Sequence, residues 1–514
     1  MNRYVKLLAV CLATLVAATC MWVFIPSSAA AANTYYVATT GNDSNPGTLD
    51  RPFATLAHAA TKVAAGDTVL FRGGTYTPTV MNWIAAKGTA NARITFKPYA
   101  GEKVVFDAAA QPANTDGIAI GGQYIDIIGF EVKNAKRIGI NVWGGSHIRI
   151  RNNIVHGSWE GAIFAGYTDL TTTNTIEIDG NTVYDNARQN SNPDNSGFGG
   201  GWPAIIYSMR ASNIRFTNNH VYENFGEGLD FILTDGGVME GNIVHDNYSA
   251  NIYLDNAKNV TVQKNLVYTT NKTKFYRFNQ PTPSIQIAIE TYPGIVVQSE
   301  NITVRNNILI GGRYNFIYGN YQTGGGLRNV TVANNTMVKA TEAALHLDGS
   351  SGHSNTLFVN NIFDQTGGGN QMNNSWNGTE GYNAFTFHHN LWFGATSGMI
   401  SGTGDITADP KLTNRSGTTA GDYKLQAGSP AIDKAAPLNA VQNDYFGGTR
   451  PSGSAPDIGA HEFGSTPSAS PAPSASPAPS ASPCPSSSPA PNPGSSAYRI
   501  YLPLVARGGT NGCG

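Results

Sequence analysis

Charge is scarce in this chain. Only 13% of its 514 residues are charged, and 33 bases against 34 acids leave a formal net charge of -1. No basic stripe is available to follow a phosphate backbone, which excludes nucleic acid as a partner. Cysteine is scarcer still. There are four, with none between Cys20 and Cys484, so no disulfide staples the body of the chain. The one long apolar run, Leu7 to Ile25, lies at the start, and nothing after it is long enough to span a membrane.

That first run reads as an export signal. Arg3 and Lys6 precede it and the small residues Ser27 to Ala32 follow it, the order of a cleavable signal peptide over residues 1–32. The run is long for such a signal, so an uncleaved N-terminal anchor is the alternative. A secreted chain meets an oxidising compartment, where Cys484 and Cys513 could pair.

Glycine is abundant, at 58 residues, and asparagine recurs in a fixed phrase. His147-Ile-Arg-Ile-Arg-Asn-Asn-Ile-Val155 is one copy; Thr175 to Val183, Asn213 to Val221, Asn259 to Val267, Asn301 to Leu309 and Asn329 to Met337 are others. Weaker copies contain Asn242, Asn361 and Asn390. The asparagine spacings are 23 (219 to 242), 23 (242 to 265), 28 (307 to 335) and 26 (335 to 361). Two larger gaps, 38 (181 to 219) and 42 (265 to 307), read as inserted loops. Each copy alternates apolar and polar residues, as a strand with one buried face does. A period in the twenties is one coil of a parallel β-helix. It is too short for a propeller blade, and leucine-rich spacing is absent. Asparagines stacked at one corner can form a hydrogen-bonded ladder, so they belong to the scaffold.

These coils resemble the secreted right-handed parallel β-helix proteins of the pectate lyase-like superfamily, over roughly Tyr35 to Gly464. The resemblance implies an all-β solenoid with a short N-terminal helical cap, here Thr55 to Ala65. It implies a closing cap near Ser429–Asp433 and Asp457–Phe463, where Asp457, His461 and Glu462 read as structural. The expected organisation is 33–464 for the β-helix, 465–497 for a Pro/Ala/Ser linker that cannot bury a core, and 498–514 for a short tail, a candidate surface-sorting element.

In that superfamily the strand after the next turn, with its flanking loops, forms the substrate groove. Here those strands include Gly228–Ile232, Asn251–Asp255, Ile287–Glu290 and Ala344–Asp348. Alternation sends Leu229, Phe231, Ile252, Leu254, Leu345 and Leu347 inward. It sends Asp230, Tyr253, Asp255, His346 and Asp348 outward, with Tyr207 and Glu290 beside them. The insertions Asn190–Gly201 and Asn271–Pro283 fall just before groove strands, where binding loops sit.

Glu223-Asn-Phe-Gly-Glu-Gly-Leu-Asp-Phe231 resembles the acidic turn of family 9 pectate lyases, which reads Asp-Asp-Gly-aromatic-Asp and binds calcium. Residue by residue, Glu227 and Asp230 take the second and third acids, and Gly226 replaces the first. The resemblance therefore implies a calcium site on Glu227 and Asp230, one ligand short unless Asp194, Asp235 or Asp255 completes it. The structural alternative is that Gly-Glu-Gly is a turn capped by Asp230.

The function implied is β-elimination of an extracellular acidic polysaccharide by a secreted, monomeric lyase, with no nucleic acid and no membrane span once the signal is removed. Candidate catalytic groups are Lys272, Lys274, Arg277 and Asp255, with Lys258 a further base. Tyr207, Tyr253, Glu290 and His346 are candidate substrate contacts. Two alternatives stay open. A non-catalytic carbohydrate-binding surface protein fits the linker and tail. A glycoside hydrolase or epimerase fits Asp230 and Asp255, two positions apart on adjacent coils at about 7–8 Å, within the range for inverting glycosidases.

Overall fold

The computed structural model describes residues 32–167, 169, 171–191, 203–277, 279–292, 299–321, 325–348, 352–374, 385–395, 400 and 402–466. The signal, most of the linker, the tail, Cys484, Cys513 and Asp194 lie outside the described residues.

Three parallel sheets run the length of the molecule, two of 13 strands and one of 11. Successive strands enter the three sheets in turn, so each coil contributes one strand to each. We call the 11-stranded sheet the groove sheet. The strand before each ladder asparagine lies in the ladder sheet. The run after it, commonly three residues, lies in the short-strand sheet. The fold is an all-β right-handed parallel β-helix.

The coils stack in strict register. Ile140, Ile163, Ile206, Leu229, Ile252, Ile285, Phe316, Leu345 and Met372 are partners along the inner face of the groove sheet, and all are buried. Each removes an apolar side chain from water, worth about 1.5–3 kcal/mol per large residue.

The turn into the short-strand sheet explains the repeated asparagines. In each Asn-Asn pair the first residue adopts the left-handed conformation that asparagine tolerates (Asn152, Asn218, Asn306, Asn334 and Asn360). The second forms the ladder. Asn153, Asn181, Asn219, Asn242, Asn265, Asn307, Asn335, Asn361 and Asn390 each pass a side-chain bond to the next, from 2.9 to 3.1 Å. Asp405 ends the ladder by accepting from the Asn390 backbone at 2.8 Å. A second ladder, through Asn186, Asn224 and Asn247, serves the next corner.

Two end segments differ from the sequence reading. The helix covers only Leu56–Ala60, with Thr55 accepting from the His58 amide at 3.1 Å. It stops where the Thr61 amide turns back to the carbonyls of His58 and Ala59. Residues 409–466 do not simply close the last coil. They fold back over the outer face of the short-strand sheet, packing Tyr423, Leu425 and Ile458 on Ile308, Ile362 and Leu391. Polar contacts fasten this strap: Asn306 donates to the Asn443 carbonyl at 2.7 Å, and the Ala460 amide donates to Thr336 at 3.0 Å. Within it Arg450 and Glu462 form a fully buried ion pair at 2.8 Å. Asp457 accepts from the amides of Asp433 and Phe463, as a structural role requires.

Candidate active site on the groove sheet

Alternation along Glu227–Ile232 turns Leu229 and Phe231 into the core and Asp230 to the outer face. Register then places Tyr207, Asp230, Tyr253 and Gln286 in one column, with Asp255 two positions beyond Tyr253. The expected register therefore holds. The expected solvation does not. Asp230 is 0% exposed and Asp255 5%, because the segments after and between groove strands close over them.

Those segments bring more acid. Glu290, just past strand Ile285–Ile289, accepts from the Tyr253 hydroxyl at 2.7 Å. The Asn256 side chain grips the Glu290 backbone, accepting from its amide at 2.6 Å and donating to its carbonyl at 3.2 Å. Tyr292 donates its hydroxyl to Asp255, a residue that the sequence reading missed. Ser249 donates to Glu227 at 3.3 Å. Arg277, from the second insertion, acts electrostatically on Glu227.

The glycines flanking Glu227 are dictated by crowding. A Cβ at Gly226 would sit 2.1 Å from the Pro203 carbonyl oxygen, and one at Gly228 2.4 Å from that of Asn251. No acid could stand at Gly226, so the first aspartate of the resembled motif has no room here. Gly-Glu-Gly is not a capped turn either: Glu227 opens a strand.

Among the described residues, neither oxygen of Asp230 has a hydrogen-bond donor. The Glu227 carboxyl lies close enough to share a proton with it when one of the two is neutral. Burial, then the Glu227 and Asp255 charges, push the Asp230 carboxyl well above the usual carboxylate range. Burial is also the largest cause lifting Glu227, to about 7, while Arg277 opposes the rise. Burial and Asp255 raise the Tyr292 phenol, so it stays a donor. Buried like charges resist ionising together. This pocket must hold protons or a cation.

A hard cation suits such a donor set, because calcium takes oxygen ligands, several of them carboxylate. The orphaned Asp230 oxygens and Glu227 fit that chemistry. Among the described residues, however, no three acidic, histidine or cysteine side chains are grouped so that they could hold a metal ion. Any cation here would draw its other oxygens from bound substrate and water.

Other expected residues lie elsewhere. Lys272 is paired with Glu223 and exposed. Lys274 is exposed, its ammonium 4.9 Å from the Phe225 ring. Lys258 pairs with Asp235 at 3.3 Å, which removes both from the cluster. His346 sits four coils from Asp230, 4.7 Å from the Tyr314 ring. It joins a separate group in which Glu342 takes Arg313, Tyr314 and Asn373. Asp348 accepts from the Asn320 amide at 3.3 Å.

Residues 35–265 match the family model described as Pel9A-like, right handed beta helix region, and residues 206–363 match a right handed beta helix region. The Pel9A-like match contains Glu227, Asp230 and Asp255 and stops before Arg277 and Glu290. Among curated proteins, the chain is 28% identical over 268 residues to the uncharacterized protein YwoF of Bacillus subtilis, covering 45% of this chain and 55% of that one. It is 39% identical over 93 residues to pectate lyase PEL9 of Emericella nidulans, 18% and 23% of the two chains. It is 31% identical over 209 residues to pectate lyase L of Paenibacillus polymyxa, 40% and 46%. The chain thus spans about half the length, or less, of the curated relatives it matches. A solved structure of XylC with xylose shares the fold, at TM-score 0.53 and 17% identity over 83% of this chain and 98% of that one.

Proposed function

We propose that the Pel9A-like region is a calcium-assisted lyase that cleaves an exported acidic polysaccharide by β-elimination. The observation that carries this reading is Asp230: a carboxylate with no donor on either oxygen, buried beside Glu227 and Asp255. The two pectate lyases among the relatives support the class of substrate. The N-terminal segment and the absence, among the described residues, of a helix able to cross a membrane fit an exported protein.

In this reading Glu227 and Asp230 would hold calcium, which would neutralise the uronate carboxylate and acidify the adjacent C–H. Arg277 adds positive charge on the same side. A guanidinium stays protonated, so Arg277 is a clamp, and Asp255 takes the proton. Tyr292 orients the Asp255 carboxylate by donating its hydroxyl to one of the two oxygens. The C–H electron pair becomes the new C=C bond. The glycosidic oxygen leaves from the next carbon with its bonding pair and is protonated to a hydroxyl. Tyr253 and Tyr207 line the strip on either side of Asp230.

The test is incubation with pectate, alginate and other acidic polymers, with calcium and then with chelator, while ultraviolet absorbance of the unsaturated uronide is followed. A calcium-dependent rise on one polymer supports the lyase. One observation favours a second reading. Glu227, whose carboxyl burial lifts to about 7, could act as the acid, with Asp255 as the base, in hydrolysis. New reducing ends without absorbance, unaffected by chelator, would move the assignment there. Retention of a polymer without any new ends would make the strip a recognition surface.

A further inference from the structure

The groove sheet continues for five coils on the N-terminal side of Asp230, a distance of about 24 Å at the spacing of stacked strands. Its outer face changes character there. Trp83 on the first groove strand is 41% exposed, and its ring lies over Gly121, where a Cβ would come within 2.5 Å of it. Trp143 and Tyr167 meet edge to face at 5.5 Å, both half-buried. Phe164 underlies them, 6.2 Å from Trp143 and 4.6 Å from Tyr207, the neighbour of Asp230. From Trp143 and Tyr167 a line of rings leads through Phe164 and Tyr207 to the acidic site, with Trp83 two coils further out.

The charges beside this line do not suit an anionic sugar. The cation facing Tyr207 is Arg137, and Asp116 takes both its Nε (2.8 Å) and Nη2 (2.6 Å). Glu160 faces the same ring. Two acids against one engaged base give a uronate carboxylate nothing to bind and a net charge to avoid. Aromatic faces bind the apolar faces of sugars without needing charge.

We infer that the aromatic line is a second binding stretch that takes uncharged sugar residues, so the substrate is a mixed polymer, with uronate at Asp230 and neutral or esterified residues towards Trp83. This rests on the reading of Asp230 as the place where a glycan reacts. It explains why rings stand at one end of the groove and carboxylates in the middle.

The experiment is affinity measured by tryptophan fluorescence and calorimetry, on the intact protein in excess chelator. The probes are pectate and alginate, each in its free form and in a partly methyl-esterified form. One esterified polymer is expected to bind at least about fivefold more tightly than its free form, and Trp83→Ala or Trp143→Ala to weaken that binding about fivefold to tenfold with little change on the free form. Tighter binding of both free forms, equal loss on both forms of a polymer, or no loss in either variant overturns the inference. The two readings fail separately. If the esterified preference holds but calcium yields no unsaturated product, the lyase assignment falls and the neutral stretch stands. If product forms but the preference is absent, the reverse is true.

Discussion

Asn242 and Asp230 are both fully buried, twelve residues apart in the chain. Asn242 uses its whole side chain: its amide donates to the Phe216 carbonyl at 2.8 Å and to Asn265 at 2.9 Å, and its oxygen accepts from Asn219 at 3.0 Å. Asp230 has no donor on either oxygen. A scaffold selects polar groups that satisfy one another, because an orphaned buried group costs about 1–3 kcal/mol. Single buried atoms elsewhere, such as Asn141 Oδ1 and Ser158 Oγ, also go without a partner, but at Asp230 both carboxylate oxygens do, which marks a place kept for something that arrives later. The contrast separates ladder from site more sharply than residue type does.

Substitutions and a pH series break or sharpen that contrast. The strap offers a third case, a buried pair that is charged yet satisfied. Glu462→Ala leaves Arg450 buried without its partner, and unfolding in urea should show a loss of about 3–5 kcal/mol with the groove untouched. Asn242→Ala removes four side-chain bonds in mid-ladder and should cost about 2–4 kcal/mol by the same measurement. Asp230→Asn should do the opposite. It relieves like-charge crowding, so the urea midpoint should hold or rise, while turnover of the substrate found falls about a hundredfold or more. A large loss of stability in Asp230→Asn would place it with the ladder instead.

The pH dependence tests the same crowding. The folded-state values of Glu227 and Asp230 are raised, so their contribution to stability is fully present below the ordinary carboxylate range and lost as pH rises through about 7. The calcium-free protein should therefore become less stable from mildly acidic to mildly alkaline pH, and Asp230→Asn should flatten that slope. Added calcium should raise the melting temperature more at alkaline than at acidic pH. A protein whose melting responds equally to calcium at both ends would not be using these carboxylates. Tyr292→Phe, which removes only the hydroxyl on Asp255, should lower turnover about tenfold with no change in melting.

Much of this was legible in the chain. All nine ladder asparagines were visible from the repeat, and alternation placed Asp230, Tyr253 and Asp255 on the outer face. Both signals are local, since a strand's faces follow from a period of two and a corner recurs at a fixed offset. The lysines misled because a basic residue in a loop says nothing about its partner: Lys272 found Glu223, and Lys258 found Asp235. Tyr292 carried no signal, since its meeting with Asp255 depends on how the segment after Ile289 returns across the sheet.

The sequence by itself determined the solenoid, the register of its core and the corner ladder, because each coil repeats the same local pattern and stacking copies it. Only the tertiary structure decided that the charges of Glu227, Asp255 and Glu290 act on a fully buried Asp230. The same is true of the strap, which lies along the short-strand sheet instead of over its end. These contacts join segments outside the repeat, and their energy comes from charge, burial and packing between elements that no local period connects.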